Sequence, residues 1–102
     1  MNKVLLCCRD YAASAETISL ECELNDRRYI NFDNGAHGIA TDAGEQYEFE
    51  LDQEGRMDFG RAHNAEDRVW RTNFHQKEIS VGAPIEVRSG GGPWTYVVRS
   101  IE

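Results

Sequence analysis

The sequence predicts an all-β protein, a small antiparallel meander that closes into a barrel or half-barrel of six to eight short strands. Apolar and polar side chains alternate with a two-residue period along most of the 102 residues. Turn-forming residues recur about every 8–12 positions, as in sandwiches and barrels. Strands this short need to curl around one core, because open sheet edges invite aggregation. A compact β-sandwich is the alternative architecture.

The N-terminal stretch has two interpretations. Residues 4–8 are apolar and predict a buried strand followed by a loop. The alternative is a short helix that runs into residues 9–16, indicated by the near-helical spacing of Leu5, Cys8, Ala12 and Ala15. We expect the strand.

The next segments predict a meander. Thr17–Leu24 alternates apolar and polar residues and has an acidic outer face. Residues 29–32 form a short β-rich run before Asn34 and Gly35, a pair that tolerates the positive φ of a tight hairpin turn. We therefore expect a hairpin here, with residues 37–41 as a weaker return strand interrupted by Gly38.

The middle and the end of the chain continue the pattern. Residues 46–51 alternate aromatic or aliphatic residues with glutamates, and Gly55 predicts a hairpin loop before a return strand at 56–59. The polar residues 63–67 predict a loop, and further strands follow at residues 68–74, 85–89 and 94–101. No linker or repeat divides the chain, so residues 1–102 are expected to form a single β domain.

Charge disfavours two classes of partner. The net charge is −7, and residues 1–54 carry twelve acidic against four basic side chains. Such a field repels phosphate, so binding of nucleic acid or of an anionic membrane surface is disfavoured. The sequence contains no apolar run long enough for a transmembrane helix. A basic or neutral protein partner fits this charge best.

The strands predicted to carry glutamates offer a candidate partner surface. If these strands share a sheet, their carboxylates form one outer face that steers a basic partner toward it. The simpler interpretation is a hydrated face that protects the sheet from edge pairing. The candidate acidic face consists of Glu21, Glu23, Glu48, Glu50 and Asp52.

Aromatic residues and arginines lie close together in the second half of the chain. Their first expected role is in the core, because a small barrel needs bulky fillers. If these side chains are exposed instead, they would form a peptide groove or a stacking platform for single-stranded nucleic acid. The candidate aromatic and arginine patch consists of Trp70, Arg71, Trp94 and Arg88.

No pattern predicts a cofactor, a metal or a catalytic residue. Cys7 and Cys8 are adjacent, so on a strand they point to opposite faces and cannot readily chelate one ion. Cys22 lies on an apolar stripe, as a buried small hydrophobe would. Three cysteines make no even disulfide framework, and the apolar run after Met1 is too short for a signal peptide. We therefore expect a reduced, cytoplasmic protein.

These observations leave the specific function undetermined. The preferred hypothesis is a small acidic, non-enzymatic protein-interaction or inhibitor module, acting as a monomer or as a dimer through an open sheet edge. The alternative is a small-ligand binder or enzyme with a pocket near residues 90–92, where glycines allow close backbone approach. The third hypothesis is single-stranded nucleic-acid binding by the aromatic and arginine patch.

Overall fold

The computed structural model describes residues 1–10, 16–42, 44–60, 69–89 and 92–102. These residues form nine strands and one 3₁₀ turn, Phe74–Gln76. The strands are β1 (Asn2–Cys8), β2 (Thr17–Leu24), β3 (Ile30–Asn31), β4 (His37–Asp42), β5 (Glu45–Leu51), β6 (Arg56–Asp58), β7 (Val69–Thr72), β8 (Pro84–Ser89) and β9 (Gly92–Ile101).

Eight of the strands close into an antiparallel barrel. In chain order, β1, β2, β4, β5, β6, β7, β8 and β9 each pair with the next, and β9 pairs with β1. β3 is an extra short strand on β2. The predicted all-β barrel is therefore confirmed, with the meander order expected of an up-and-down barrel.

β1 confirms the strand predicted at the N-terminus. It pairs with both β2 and β9, so it closes the barrel. Leu5 and Cys8, which also suggested a helix, belong to this strand. Ala12 and Ala15, the other two positions of that spacing, lie outside the described residues.

The barrel interior is packed with side chains. An eight-stranded barrel is just wide enough for side chains to fill it. Among the described residues every buried side chain is apolar, and none is charged. The largest fully buried side chains are Phe74, Leu6, Ile18, Leu20, Met57, Ile79 and Ile85. The interior is therefore a packed apolar core.

Gly38 allows β4 to fit between β2 and β5. A Cβ atom at this position would lie 2.0 Å from the carbonyl oxygen of Ser19 and 2.9 Å from the Phe49 ring. The space that a side chain would need is filled by Phe49, which is buried. In the sequence, Gly38 only interrupts a strand pattern, whereas in the fold it permits close packing.

The hairpin predicted at Asn34 and Gly35 is wrong. The turn itself forms, because the Gly35 N–H donates to the Phe32 carbonyl at 3.0 Å and Gly35 has a φ of 80°. However, β3 and β4 do not pair with each other; they follow one another along the same edge of β2. The eight-residue β2 is long enough for both, so the turn is an excursion between two segments of one edge.

The Gly55 hairpin loop is confirmed, and Asp52 organises it. The Asp52 carboxylate accepts hydrogen bonds from the backbone N–H groups of Glu54 and Arg56, each at 2.9 Å, and from Arg56 Nε at 2.8 Å. Partial burial raises the pKa of Asp52, but the hydrogen bonds from Arg56 and Glu54 outweigh it and lower the pKa overall. The ionised carboxylate therefore stabilises the turn.

Asp52→Asn should lower stability at neutral pH by about 1 kcal/mol or less, because this ion pair is half exposed. A depressed folded-state pKa gives stability that is present above the unfolded pKa and lost as pH falls through the folded pKa. Urea unfolding near pH 7 and near pH 2.5 should therefore show a deficit that disappears in acid. A deficit that persists unchanged in acid would contradict this role of the carboxylate. The control variant is Asp33→Asn, in the neighbouring turn.

Candidate functional site

A row of polar side chains crosses the outer surface of five neighbouring strands. Adjacent strands lie roughly 4.8 Å apart, so directly opposite side chains are neighbours. The register places opposite one another, in order from β1 to β6, Lys3, Glu21, His37, Glu50 and Asp58.

This row forms part of an open groove of about 610 Å³, here called the acidic groove. Its carboxylates come from three strands, and they are Glu21, Glu48, Glu50 and Asp58. Its apolar lining comes from Ile39, Phe49 and Phe59. Lys3 and His37 are its basic residues, so the groove carries a net negative charge.

One contact between a histidine and a carboxylate lies within the groove. His37 Nε2 is 2.9 Å from a Glu21 carboxylate oxygen. About half of each side chain is exposed, so solvent screens the pair and it contributes little to stability.

The row next to the polar one contains two exposed apolar side chains. Leu5, Ser19, Ile39 and Glu48 lie opposite one another across β1, β2, β4 and β5. Leu5 and Ile39 are 37% and 38% exposed, which is high for large aliphatic residues. An apolar centre with a charged rim is the usual anatomy of a protein–protein interface.

The structure brings together three of the five residues of the predicted acidic face. Glu21, Glu48 and Glu50 line the acidic groove. Glu23 lies beyond it and accepts a hydrogen bond from Asn34 Nδ2 at 3.0 Å. Asp52 belongs to the β5–β6 turn.

Sequence reasoning missed four polar members of the groove, which are Lys3, Ser19, His37 and Asp58. His37 lies on the weakly predicted strand at residues 37–41, and Asp58 lies on the return strand predicted at residues 56–59. Each enters the groove through its register with β5. The signal that could have found them is the cross-strand pairing of residues 37, 50 and 58 across two hairpins. That pairing needs the strand register to be known.

The structure does not bring the predicted aromatic and arginine patch onto one surface. Trp70 is only 6% exposed and packs edge-on against Phe59, with ring centroids 4.7 Å apart. Trp94 is half-buried against the core, and its indole N–H donates to Ser89 Oγ at 3.0 Å. Arg71 and Arg88 lie opposite each other and are exposed. Adjacent strand residues point to opposite faces, so Trp70 faces inward and Arg71 outward.

The predicted pocket near residues 90–92 falls mostly outside the described residues. Positions 90 and 91 are not described, and Gly92 is the first residue of β9. That hypothesis stays a prediction.

The cysteines are thiols rather than disulfides, and two of them are buried. Burial raises the pKa of Cys22 to about 11, which outweighs a lowering by the N-terminal ammonium group. Cys7 is half-buried on the opposite face of its strand from Cys8. Within the described residues, no group of three histidine, cysteine or acidic side chains could hold a metal ion.

Native-state labelling with a water-soluble thiol reagent near pH 8 should therefore modify Cys7 first. Cys22 is both fully buried and protonated at this pH, so it should react only after unfolding. Mass spectrometry of digested protein would locate the label. Labelling of Cys22 as fast as that of Cys7 in the native state would contradict the buried placement.

Acidic groups also meet at the other end of β2 and β4. The pKa of Glu16 is raised by partial burial and by the neighbouring Asp42 carboxylate, which repels its charge and shares a hydrogen bond with it. Thr17 and Thr41 pair between these residues and the groove, so carboxylates flank both ends of the β2–β4 pair. The negative field extends along this side of the barrel.

Comparison with known proteins gives no relative: no family model, no curated protein and no solved structure matches the chain. The part of the chain that the structure describes contains no helix long and apolar enough to cross a membrane. The fold and the site therefore define a small closed antiparallel β-barrel with an acidic groove on its outer surface.

Proposed function

We propose that this protein is a non-enzymatic interaction module whose acidic groove binds a basic protein. One observation carries the proposal: β2, β5 and β6 place four carboxylates around the half-exposed Ile39. Their arrangement matches a positively charged surface with an apolar centre. The packed interior supports recognition at the outer surface rather than in the lumen.

The groove and its surroundings contribute to binding in two complementary ways. The net charge of −7 and the concentrated carboxylates attract a basic partner from a distance and raise the association rate. Leu5 and Ile39 add apolar contact once the partner is seated, which lowers the dissociation rate. A module of this kind acts as an inhibitor when the surface it covers is the partner's own nucleic-acid-binding or catalytic surface.

The thiols support a cytoplasmic setting for this activity. Cys7, Cys8 and Cys22 form no disulfide, as expected for a chain that works in a reducing compartment. We therefore propose that the partner is an intracellular basic protein.

Affinity capture at two salt concentrations tests the proposal. The immobilised protein is incubated with native lysate at ~50 mM and ~300 mM salt, a range over which the screening length shortens markedly. A specific basic protein retained at the lower salt and released at the higher salt supports the proposal. If no basic protein is enriched at either salt, the proposal fails.

A further inference from the structure

One edge of β5 is only partly paired among the described residues. β5 pairs with β4 at every position from Glu45 to Glu50. On its other side β5 pairs with β6 at Glu50 and Leu51 alone. The residues of β5 before Glu50 therefore have no strand beside them on the β6 side, within the part of the chain that the structure describes.

Among the described residues, the β5–β6 ladder ends just before a turn at Gly60. In the established register, the next partner of Glu48 after the Glu50–Asp58 pair would be Gly60. Gly60 instead has a φ of 74°, and its N–H donates to Asp58 Oδ1 at 2.8 Å. This geometry turns the chain back on Asp58 and ends the ladder.

Backbone alternation decides which groups face this edge. The Leu51 N–H donates to the Ala36 carbonyl on the β4 side, whereas the Asp52 N–H donates to the Arg56 carbonyl on the β6 side. Successive residues alternate between the two sides, so the backbone N–H and C=O groups of Gln46 and Glu48 face the β6 side. Beyond Asp58, no strand among the described residues pairs with these backbone groups of Gln46 and Glu48.

The side chains beside this edge select the kind of strand that could pair there. Glu48 and Glu50 are exposed and lie in the acidic groove, together with Asp58. Charged side chains protect an edge from pairing with another copy of the same acidic strand, because like charges oppose each other. The same charges favour a strand that carries lysine or arginine at the opposite positions.

We infer that an extended basic segment of the partner adds to the barrel as a strand along β5, pairing its backbone with Gln46 and Glu48. This inference rests on the proposed function and specifies how the acidic groove recognises its partner. Backbone hydrogen bonds hold the segment, while its basic side chains meet the groove carboxylates. The occupant is thus an extended, positively charged peptide segment rather than a preformed helix.

Amide hydrogen exchange with a synthetic peptide tests the inference. The probe is a capped eight-residue peptide of alternating lysine and threonine, and its control is the same peptide N-methylated at alternate residues. N-methylation keeps the charge but removes the backbone N–H donors of the methylated residues, which lie along one edge of the extended peptide. We expect the first peptide to slow exchange at Gln46 and Glu48, and the methylated peptide to bind at least about tenfold more weakly.

Three other results are possible, and each of them would overturn the inference for a different reason. Equal binding of both peptides, without slower exchange at the two amides, means that charge alone acts; the acidic groove then stands and strand addition fails. Slow exchange at both amides in the unliganded protein means that the edge is already covered. If neither peptide binds, the proposed groove function fails as well.

A pair of variants checks the same edge from the protein side. Glu48→Pro removes a single N–H, which by alternation faces the β6 side, so the β4–β5 ladder keeps its bonds. Glu48→Gln removes the same charge and keeps the N–H. We expect Glu48→Pro to bind the lysine–threonine peptide several-fold more weakly than Glu48→Gln, at equal melting temperature. Equal binding of the two folded variants would overturn the strand-addition mode.

Discussion

Gly38→Ala is expected to lower the free energy of unfolding by about 3–5 kcal/mol, a large part of the total stability of a small domain. The added Cβ would lie 2.0 Å from the backbone oxygen of Ser19, and backbone cannot rotate away as a side chain can. β2 and β4 would have to separate along the register that joins Leu20 to Gly38. The Phe49 ring, 2.9 Å from the same Cβ, would also have to move.

Urea unfolding followed by far-ultraviolet circular dichroism measures this effect. The matched control is Gly82→Ala, because Gly82 has a φ of 92° but a Cβ added there would meet nothing within 4 Å. The control should cost only the backbone strain, roughly 1–2 kcal/mol. If Gly38→Ala costs no more than Gly82→Ala, the close approach of β2 and β4 is not what stabilises this side of the barrel.

The double substitution Glu48→Lys/Glu50→Lys is expected to weaken binding of the basic partner by about 100-fold or more at ~50 mM salt. Both side chains are exposed in the acidic groove, so reversal replaces two attractions with two repulsions. Stability should change little, because neither residue makes an ion pair among the described residues. Titration calorimetry with the partner isolated by affinity capture measures the loss.

A control with the same change in net charge separates the groove from the overall field. Glu78→Lys/Glu86→Lys alters two exposed carboxylates that do not line the acidic groove. It should slow association and weaken binding by less than about tenfold, since distant exposed charges are screened. If the two double variants weaken binding equally, the groove is not the binding surface and net charge alone governs the interaction.

Local sequence signals were enough for most of the strands. The alternation in Thr17–Leu24 predicted β2 with its buried and exposed faces, and Gly55 predicted the β5–β6 loop. Both signals are local, because side-chain alternation and a positive φ depend on residues close in the chain. The Asn34–Gly35 signal was equally local, and it predicted the turn correctly but the pairing wrongly. A turn residue determines the shape of a turn, while strand pairing depends on the edges available nearby.

The candidate site depended on register, which local signals do not provide. Glu48 and Glu50 could be placed on one strand face from the sequence, but their neighbours Glu21, His37 and Asp58 come from three other strands. A shift of one residue in any pairing would have moved these side chains to the other face. The same reasoning separates Trp70 from Arg71, which sequence proximity had grouped together.

The sequence by itself determined an acidic all-β chain with alternating strands, apolar on one face and carboxylate-rich on the other. Alternation, turn residues and charge are properties of short segments, so they can be recognised without the fold. Only the tertiary structure decided that β1 closes on β9, that Gly38 lies against Ser19, and that carboxylates from three strands surround Ile39. These features depend on the register among strands far apart in the chain, which is set when the core packs and the barrel closes.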